Sequence, residues 1–120
     1  MTLLERSKKI LADCMGIQPG EQVLIVTDDG KENIGRVLYQ AAREMGAEAL
    51  LMQMLPREVS GQEPPAAVAQ AMKSADVVLV PTAQSLTHTN ARIQAVKAGA
   101  RIATMPGDEG IQEISLVYLP

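Results

Sequence analysis

The stretch from Asp76 to Gly107, DVVLVPTAQSLTHTNARIQAVKAGARIATMPG, decides the fold because it has the pattern of one strand–helix–strand unit. Val77 to Val80 is a short apolar run closed by Pro81, which is typical of a strand buried on both faces of a parallel sheet. A polar turn follows, then a helix near Asn90 to Ala98, and Gly99-Ala100 leads into a second strand. We therefore predict two parallel strands joined through a helix.

An earlier segment repeats this joint between a helix and a strand. Gly46-Ala47 ends a predicted helix and opens a strand up to Met54, in which the apolar run Ala49 to Met52 indicates burial on both faces. Because such crossovers are nearly always right-handed, we predict a three-layer, doubly wound, mainly parallel α/β sheet of four to five strands, Rossmann-like or flavodoxin-like. The predicted helix that ends at Gly46 has apolar residues at the helical period, which are Ile34, Val37, Leu38, Ala41, Ala42 and Met45.

The remaining segments complete this pattern. A first helix is predicted from Thr2 to about Cys14, with the cysteine on its apolar stripe as a core thiol. Val23 to Val26 reads as the first strand, and a third helix is predicted from Pro65 to Ser74. Leu55 to Pro65 has the composition of a mobile surface loop, and we interpret it as a plain connector, with a lid as the alternative.

Length and composition limit the function classes. The 120 residues fit a single α/β domain, 1–120, in which 108–120 is an extra strand or a truncated end. The net charge of −3 and the scattered basic residues argue against nucleic-acid binding. One cysteine and no signal-peptide pattern predict the cytoplasm, and no apolar run reaches the roughly 20 residues that span a membrane. Ile114 to Leu119 is predicted as a fifth strand that must pair with something. It could belong to a truncated domain, add to the sheet of a dimer partner or form an internal edge strand, and we expect a homo-oligomer.

Ligands of open parallel sheets bind beyond the carboxyl ends of the strands, which selects three turns here. They are Thr27 to Gly30, Thr82 to His88 and Pro106 to Asp108. The adjacent Asp28 and Asp29 could bind Mg²⁺, and we favour the alternative that they cap the following helix. A phospho-receiver site is excluded because the third strand ends without an Asp and no matching Lys follows the last strand.

The second turn gathers hydroxyls and the one histidine at a helix start, where they could bind a small anion or simply cap the helix. Ser85 and His88 lie three residues apart without an orienting carboxylate, so a catalytic triad is not indicated. A single histidine without partner ligands does not indicate a metal site, and glycine-rich phosphate loops are absent. We predict no catalytic or metal-binding residue and these candidate ligand-binding residues: Thr27, Asp28, Asp29, Thr82, Ser85, Thr87 and His88.

Three segments together resemble a known family. They are ILADCMGIQPGEQVLIVTD at 10–28, YQAAREMGAEALLMQM at 39–54 and the stretch that ends in GARIATMPG. Their order resembles the N-terminal domain of metallo-aminopeptidases of the aminopeptidase T and aminopeptidase S type, also called leucyl aminopeptidases, over about Leu3 to Gly107. The resemblance implies a cytosolic, dimeric exopeptidase with two divalent metal ions. The family's metal ligands belong to a C-terminal domain without a counterpart here, so no cofactor is expected in this chain.

Three functional hypotheses follow. The first is a scaffold domain or shortened relative of such an aminopeptidase, not catalytic alone, whose missing catalytic domain or chain is its partner. The alternative is a stand-alone α/β module that recognises a small anionic ligand or forms a homo-oligomer. An unrelated small enzyme is a third hypothesis, which the scarcity of converging metal ligands disfavours.

Overall fold

The protein folds around one five-stranded sheet in a computed structural model that describes residues 2–105 and 115–116. The strand order is β2-β1-β3-β4-β5, in which the first four strands are parallel and β5 is antiparallel to β4. This confirms the predicted mainly parallel α/β fold. The strands are β1 (Gln22–Asp28), β2 (Glu48–Met54), β3 (Val77–Val80), β4 (Arg101–Thr104) and β5 (Ser115–Leu116).

Helices cover both faces of the sheet. One layer holds α1 (Leu3–Ile10), which continues as a π-helical turn (Leu11–Met15), and α2 (Glu32–Glu44). The other layer holds α3 (Ala66–Ser74) and α4 (Asn90–Lys97). Each layer buries aliphatic side chains against the sheet, so the core consists of two clusters separated by the strands. None of the described helices has the length and apolar character needed to cross a membrane.

The first helix begins as predicted but changes its geometry before Cys14. The Thr2 hydroxyl accepts a hydrogen bond from the Glu5 amide at 3.1 Å and so caps the helix. Its final turn is π-helical, which is wider than an α-helical turn and shifts the phase of the side chains. Leu11 and Met15 are buried, whereas Cys14 is exposed. The prediction of a core thiol is therefore wrong.

The predicted two-sided burial of β2 is also wrong. This strand lies at one end of the sheet and pairs only with β1 among the described strands. The side chain of Leu50 is 46% exposed, because an edge strand lacks the second neighbour that would cover it. The apolar run thus marks an edge strand in which Ala49 and Leu51 are half-buried on the α2 side.

Of the C-terminal segment 108–120, the structure describes residues 115–116. β5 lies inside the predicted strand Ile114 to Leu119 and extends the sheet beyond β4. The other residues of 108–120, and the candidate turn Pro106 to Asp108, lie outside the described residues.

An ion pair ties the amino-terminal edge of the sheet together. The two carboxylate oxygens of Glu21 accept hydrogen bonds from Nη1 and Nη2 of Arg101 at 2.9 and 2.6 Å. The Arg101 Nε also donates to the carbonyl of Met15 at 3.1 Å. Hydrogen bonding from Arg101, assisted by the Gln18 amide and opposed by partial burial, lowers the pKa of Glu21 below its usual 4.5.

We expect Glu21→Gln to lower the free energy of unfolding at pH 7 by about 1 kcal/mol. A bidentate, half-buried ion pair stabilises the folded state more than an ordinary surface ion pair does. Since the pKa of Glu21 is lower in the folded state, this stabilisation is full above pH 4.5 and is lost as the pH falls through the folded-state pKa. Urea unfolding at several pH values measures it. The exposed Glu48→Gln is the control, and an equal loss in both variants would contradict the prediction.

Candidate functional site

The candidate site lies where β1 and β3 end side by side at the carboxyl edge of the sheet. The chain leaves β1 for the α2 layer and approaches α4 on the opposite face after β3, so the strand order reverses here. This is the position at which open α/β sheets bind ligands. The predicted turns Thr27 to Gly30 and Thr82 to His88 do meet at this point.

Asp28 joins the two turns from inside the protein. Its side chain is fully buried, and its Oδ1 accepts from the Gly30 amide at 3.0 Å. Its Oδ2 accepts from the Ala83 amide at 2.8 Å, across from the end of β3. Both carboxylate oxygens are therefore engaged by backbone N–H groups, as in a structural tie.

The acidic pair does not cap α2 as predicted. Lys31 is the N-cap residue, and its side chain has no acceptor with which to cap the helix. Asp28 is instead turned inward toward Ala83. Asp29 is exposed and accepts from the Gln53 side chain at 2.7 Å. In the described part of the chain, no group of three or more His, Cys, Asp or Glu residues is arranged to hold a metal ion.

Thr27 is also buried and lies directly beneath α2. Its hydroxyl lies 3.0 Å from the Lys31 carbonyl and 2.9 Å from the Pro81 carbonyl, so it links the first turn of α2 to the end of β3. A Cβ atom placed on Gly35 would come within 2.8 Å of the Thr27 side chain. The helix therefore approaches the strand more closely at this point than any residue with a side chain allows.

The hydroxyls of the second turn bond mainly to one another and to the backbone. Thr82 donates to the Gln84 carbonyl at 2.6 Å, and Ser85 donates to the Thr87 hydroxyl at 2.8 Å. The Thr87 hydroxyl also lies 2.8 Å from that of Thr104 at the end of β4. His88, the next residue after Thr87 in the chain, is exposed.

A carboxylate that the sequence analysis missed occupies the start of α4. The two oxygens of Glu63 accept from the amides of Asn90 and Ala91 at 2.7 and 3.0 Å. Thr89 completes the cap by accepting from the Arg92 amide at 3.2 Å. Glu63 thus takes the place in which we considered a small external anion as the alternative to a cap. It lies 27 residues before Asn90 in the chain, so no local pattern indicates the contact.

The segment from Leu55 to Pro65 is consequently more than a mobile connector. Besides Glu63, it contributes the Gly61 amide, which donates to the Ser85 carbonyl at 3.0 Å. The Ser60 hydroxyl donates to the Gln84 side chain at 3.0 Å. These bonds hold the segment against the second turn, although most of its residues are exposed, as expected of a surface loop.

A second missed residue is Arg92, in the first turn of α4. Its Nε donates to the Thr87 carbonyl at 2.7 Å, which fixes the guanidinium beside the second turn. No carboxylate of the described residues forms an ion pair with it. Its position in the predicted helix, directly after the hydroxyl-rich turn, was the available signal.

We expect Glu63→Gln to lower the free energy of unfolding by about 1 kcal/mol, because the charged cap at a helix N-terminus loses its charge and one acceptor oxygen. Chemical denaturation measures the change. Glu58→Gln, on the same segment without a described side-chain bond, is the control and should change stability by less than about 0.5 kcal/mol. Equal effects of the two substitutions would show that Glu63 does not cap α4.

Comparisons with known proteins give one informative similarity. No family model matches the chain, and no curated protein matches it significantly. Among solved structures, it is similar to 2,5-dihydroxypyridine dioxygenase from Pseudomonas putida KT2440, with a TM-score of 0.67 and 16% sequence identity. The similarity covers 86% of this chain and 33% of the dioxygenase chain. At this identity it shows the fold alone.

The predicted membership of the aminopeptidase family is wrong on these findings. No comparison returns an aminopeptidase, and the similar solved structure is a dioxygenase. The segments that suggested the family correspond to β1, to the α2–β2 joint and to the β3–α4–β4 unit. Apolar strands and glycine joints build any doubly wound sheet, so these segments encode the fold and do not specify peptidase chemistry.

Proposed function

We propose that this chain is a scaffold domain, a rigid α/β wall within a larger protein or assembly, and that it does not catalyse a reaction alone. The observation that carries the proposal is the closure of the carboxyl edge by the chain's own carboxylates. Asp28 and Glu63 each accept two backbone N–H bonds at the position where a ligand of this fold would bind.

The hydrogen bonding of the interior supports the same proposal. In the described part of the chain, every buried side-chain nitrogen and oxygen has a hydrogen-bond partner. Binding and catalytic sites commonly keep polar groups in readiness for their ligand, at a cost in stability. A carboxyl edge that satisfies its own polar groups is better suited to a supporting role.

The similar solved structure adds a second line of support. The region shared with the dioxygenase is only a third of that enzyme's chain. A domain of this fold can thus form one part of a larger enzyme. We propose that the partner of this chain is a further domain or chain that supplies the chemistry.

The second candidate function is a module that binds a small anion such as phosphate or a carboxylate. Arg92 favours it, because the Thr87 carbonyl holds this cation at the edge of the hydroxyl-rich turn. An anion there would lie near the exposed His88 and the Ser85 hydroxyl.

Amide chemical shifts of the ¹⁵N-labelled chain test the two candidates. The probes are inorganic phosphate, Mg²⁺, dialanine and 2,5-dihydroxypyridine, each titrated separately. The scaffold proposal expects no saturable shift in Thr27 to Gly30 or in Thr82 to His88. Saturable shifts in these turns with phosphate, abolished by Arg92→Gln and retained in Arg6→Gln, would contradict it and establish the anion module.

A further inference from the structure

The outer edge of β2 is an open, regular strand edge. Every residue from Glu48 to Met54 pairs in continuous register with β1 on one side. On the other side, residues 2–105 and 115–116 place no strand. The strand contains no proline, lysine or bulge, the devices by which proteins usually block pairing at an edge.

The two faces of this edge differ in chemistry. On the α2 side, Ala49 and Leu51 pack on the core, and a groove of about 540 Å³ runs between α2 and the strand. On the opposite side, α3 packs over β1 and leaves Leu50 46% exposed. The groove is lined by Arg36, Tyr39, Gln40, Arg43, Glu44 and Leu51.

The groove carries uncompensated positive charge. Arg43 lies over the Tyr39 ring, 5.6 Å from its centre, and neither it nor Arg36 forms an ion pair with a carboxylate in the described part of the chain. Glu44 is already engaged, because it accepts from Lys8 at 2.8 Å and from Gln40 at 3.0 Å. These hydrogen bonds, the one from Lys8 first, lower the pKa of Glu44 and keep it ionised toward Lys8.

We propose that the β2 edge binds an extended segment of a partner polypeptide, which adds to the sheet as a strand with alternating acidic and aliphatic side chains. Successive side chains of a strand point to opposite faces of the sheet. The acidic ones would face Arg36 and Arg43 in the groove, and the aliphatic ones would cover Leu50. The backbone bonds supply affinity and the alternation supplies specificity. This surface is separate from the carboxyl edge, so the inference goes beyond the scaffold proposal and stands without it.

A second copy of this chain is a poorer occupant than an acidic segment. The β2 strand has one carboxylate, Glu48, at its exposed end, and the residues that follow are uncharged. A paired second β2 would therefore bring leucine, methionine and glutamine side chains beside Arg36 and Arg43 and leave both charges uncompensated.

Fluorescence anisotropy with two labelled seven-residue peptides tests the proposal, one alternating Glu and Val and one alternating Lys and Val. The Glu–Val peptide should bind, more weakly as salt is raised, and should lose about tenfold in affinity or more to the double variant Arg36→Glu, Arg43→Glu. The same variant should gain affinity for the Lys–Val peptide, which loss of folding could not produce. The double variant Lys73→Glu, Lys97→Glu makes an equal charge change on α3 and α4 and serves as the matched control.

Three outcomes would overturn the proposal. The first is equal affinity for the two peptides, or an affinity that the double variant Arg36→Glu, Arg43→Glu does not change. The second is absence of binding while thermal unfolding shows that the protein is folded. The third is a dimer in sedimentation equilibrium that Leu50→Lys dissociates, since a second copy would then occupy the edge. Amide shifts that the Glu–Val peptide confines to 48–54 would locate the bound strand as proposed.

Discussion

Asp28→Ala is expected to lower the free energy of unfolding by about 3 kcal/mol at pH 7, measured by urea denaturation. The substitution removes the acceptor of two backbone N–H groups, those of Gly30 and Ala83, at a fully buried position. Each unsatisfied buried donor costs about 1–3 kcal/mol, and the two donors belong to the two turns that this carboxylate joins. The loss should therefore approach that of a large core truncation.

The neighbouring carboxylate provides the control for this prediction. Asp29 is exposed and makes one described hydrogen bond, to Gln53, so Asp29→Ala should cost no more than about 0.5 kcal/mol. Asp28→Asn should fall between the two, because its amide oxygen keeps one acceptor while its NH₂ group meets the other donor. If Asp28→Ala and Asp29→Ala proved equal, the carboxylate would not hold the two turns together. Of the two carboxylates that close the carboxyl edge in the scaffold proposal, Glu63 alone would then remain.

The β3–α4–β4 unit shows how much of the fold the sequence determines locally. The run Val77 to Val80 is β3 at its predicted bounds, and the helix near Asn90 to Ala98 is α4 to within one residue. Gly46 and Gly99 both adopt positive φ, as the predicted helix ends require. These features depend on burial and backbone preferences within a few residues, so a single sequence is sufficient to predict them.

The order of the strands in the sheet is not determined by preferences within a few residues. The runs Ala49 to Met52 and Val77 to Val80 look alike, yet the first lies at the edge of the sheet and the second in its interior. The difference arises from which strands meet across the sheet. The prediction that Cys14 is buried is wrong for a related reason. The pattern assumes a regular α-helix, whereas the π-helical turn rotates the side chains relative to that helix and exposes the cysteine.

The candidate site likewise has one part that the sequence predicts and one part that it does not. Parallel-sheet geometry correctly brought the turns after β1 and β3 together, because the carboxyl ends of neighbouring parallel strands share an edge. It could not identify the partners of Asp28, which include an amide 55 residues away, or the Glu63 carboxylate at the start of α4. The edge can therefore be located from the sequence, whereas long-range bonds determine whether it is open to a ligand.

Gly35→Ala is expected to lower the free energy of unfolding by about 2 kcal/mol, although alanine favours a helix by up to about 1 kcal/mol over glycine. The added Cβ would lie 2.8 Å from both Cβ and Cγ2 of Thr27, a distance that forces α2 away from β1. Thr27 cannot turn aside without weakening its bonds to Lys31 and Pro81.

Two further variants isolate this close approach of α2 to β1. Asn33→Ala lies on the exposed face of the same helix and should be neutral or slightly stabilising, because it changes helix propensity without contact. Thr27→Ser removes Cγ2, one of the three nearest atoms, so the double variant Gly35→Ala, Thr27→Ser should cost less than the sum of the single changes. Urea unfolding of the four proteins measures this coupling. A neutral or stabilising Gly35→Ala would mean that α2 shifts on the sheet without cost, and the structure predicts that it cannot, because Thr27 is held from both sides beneath it.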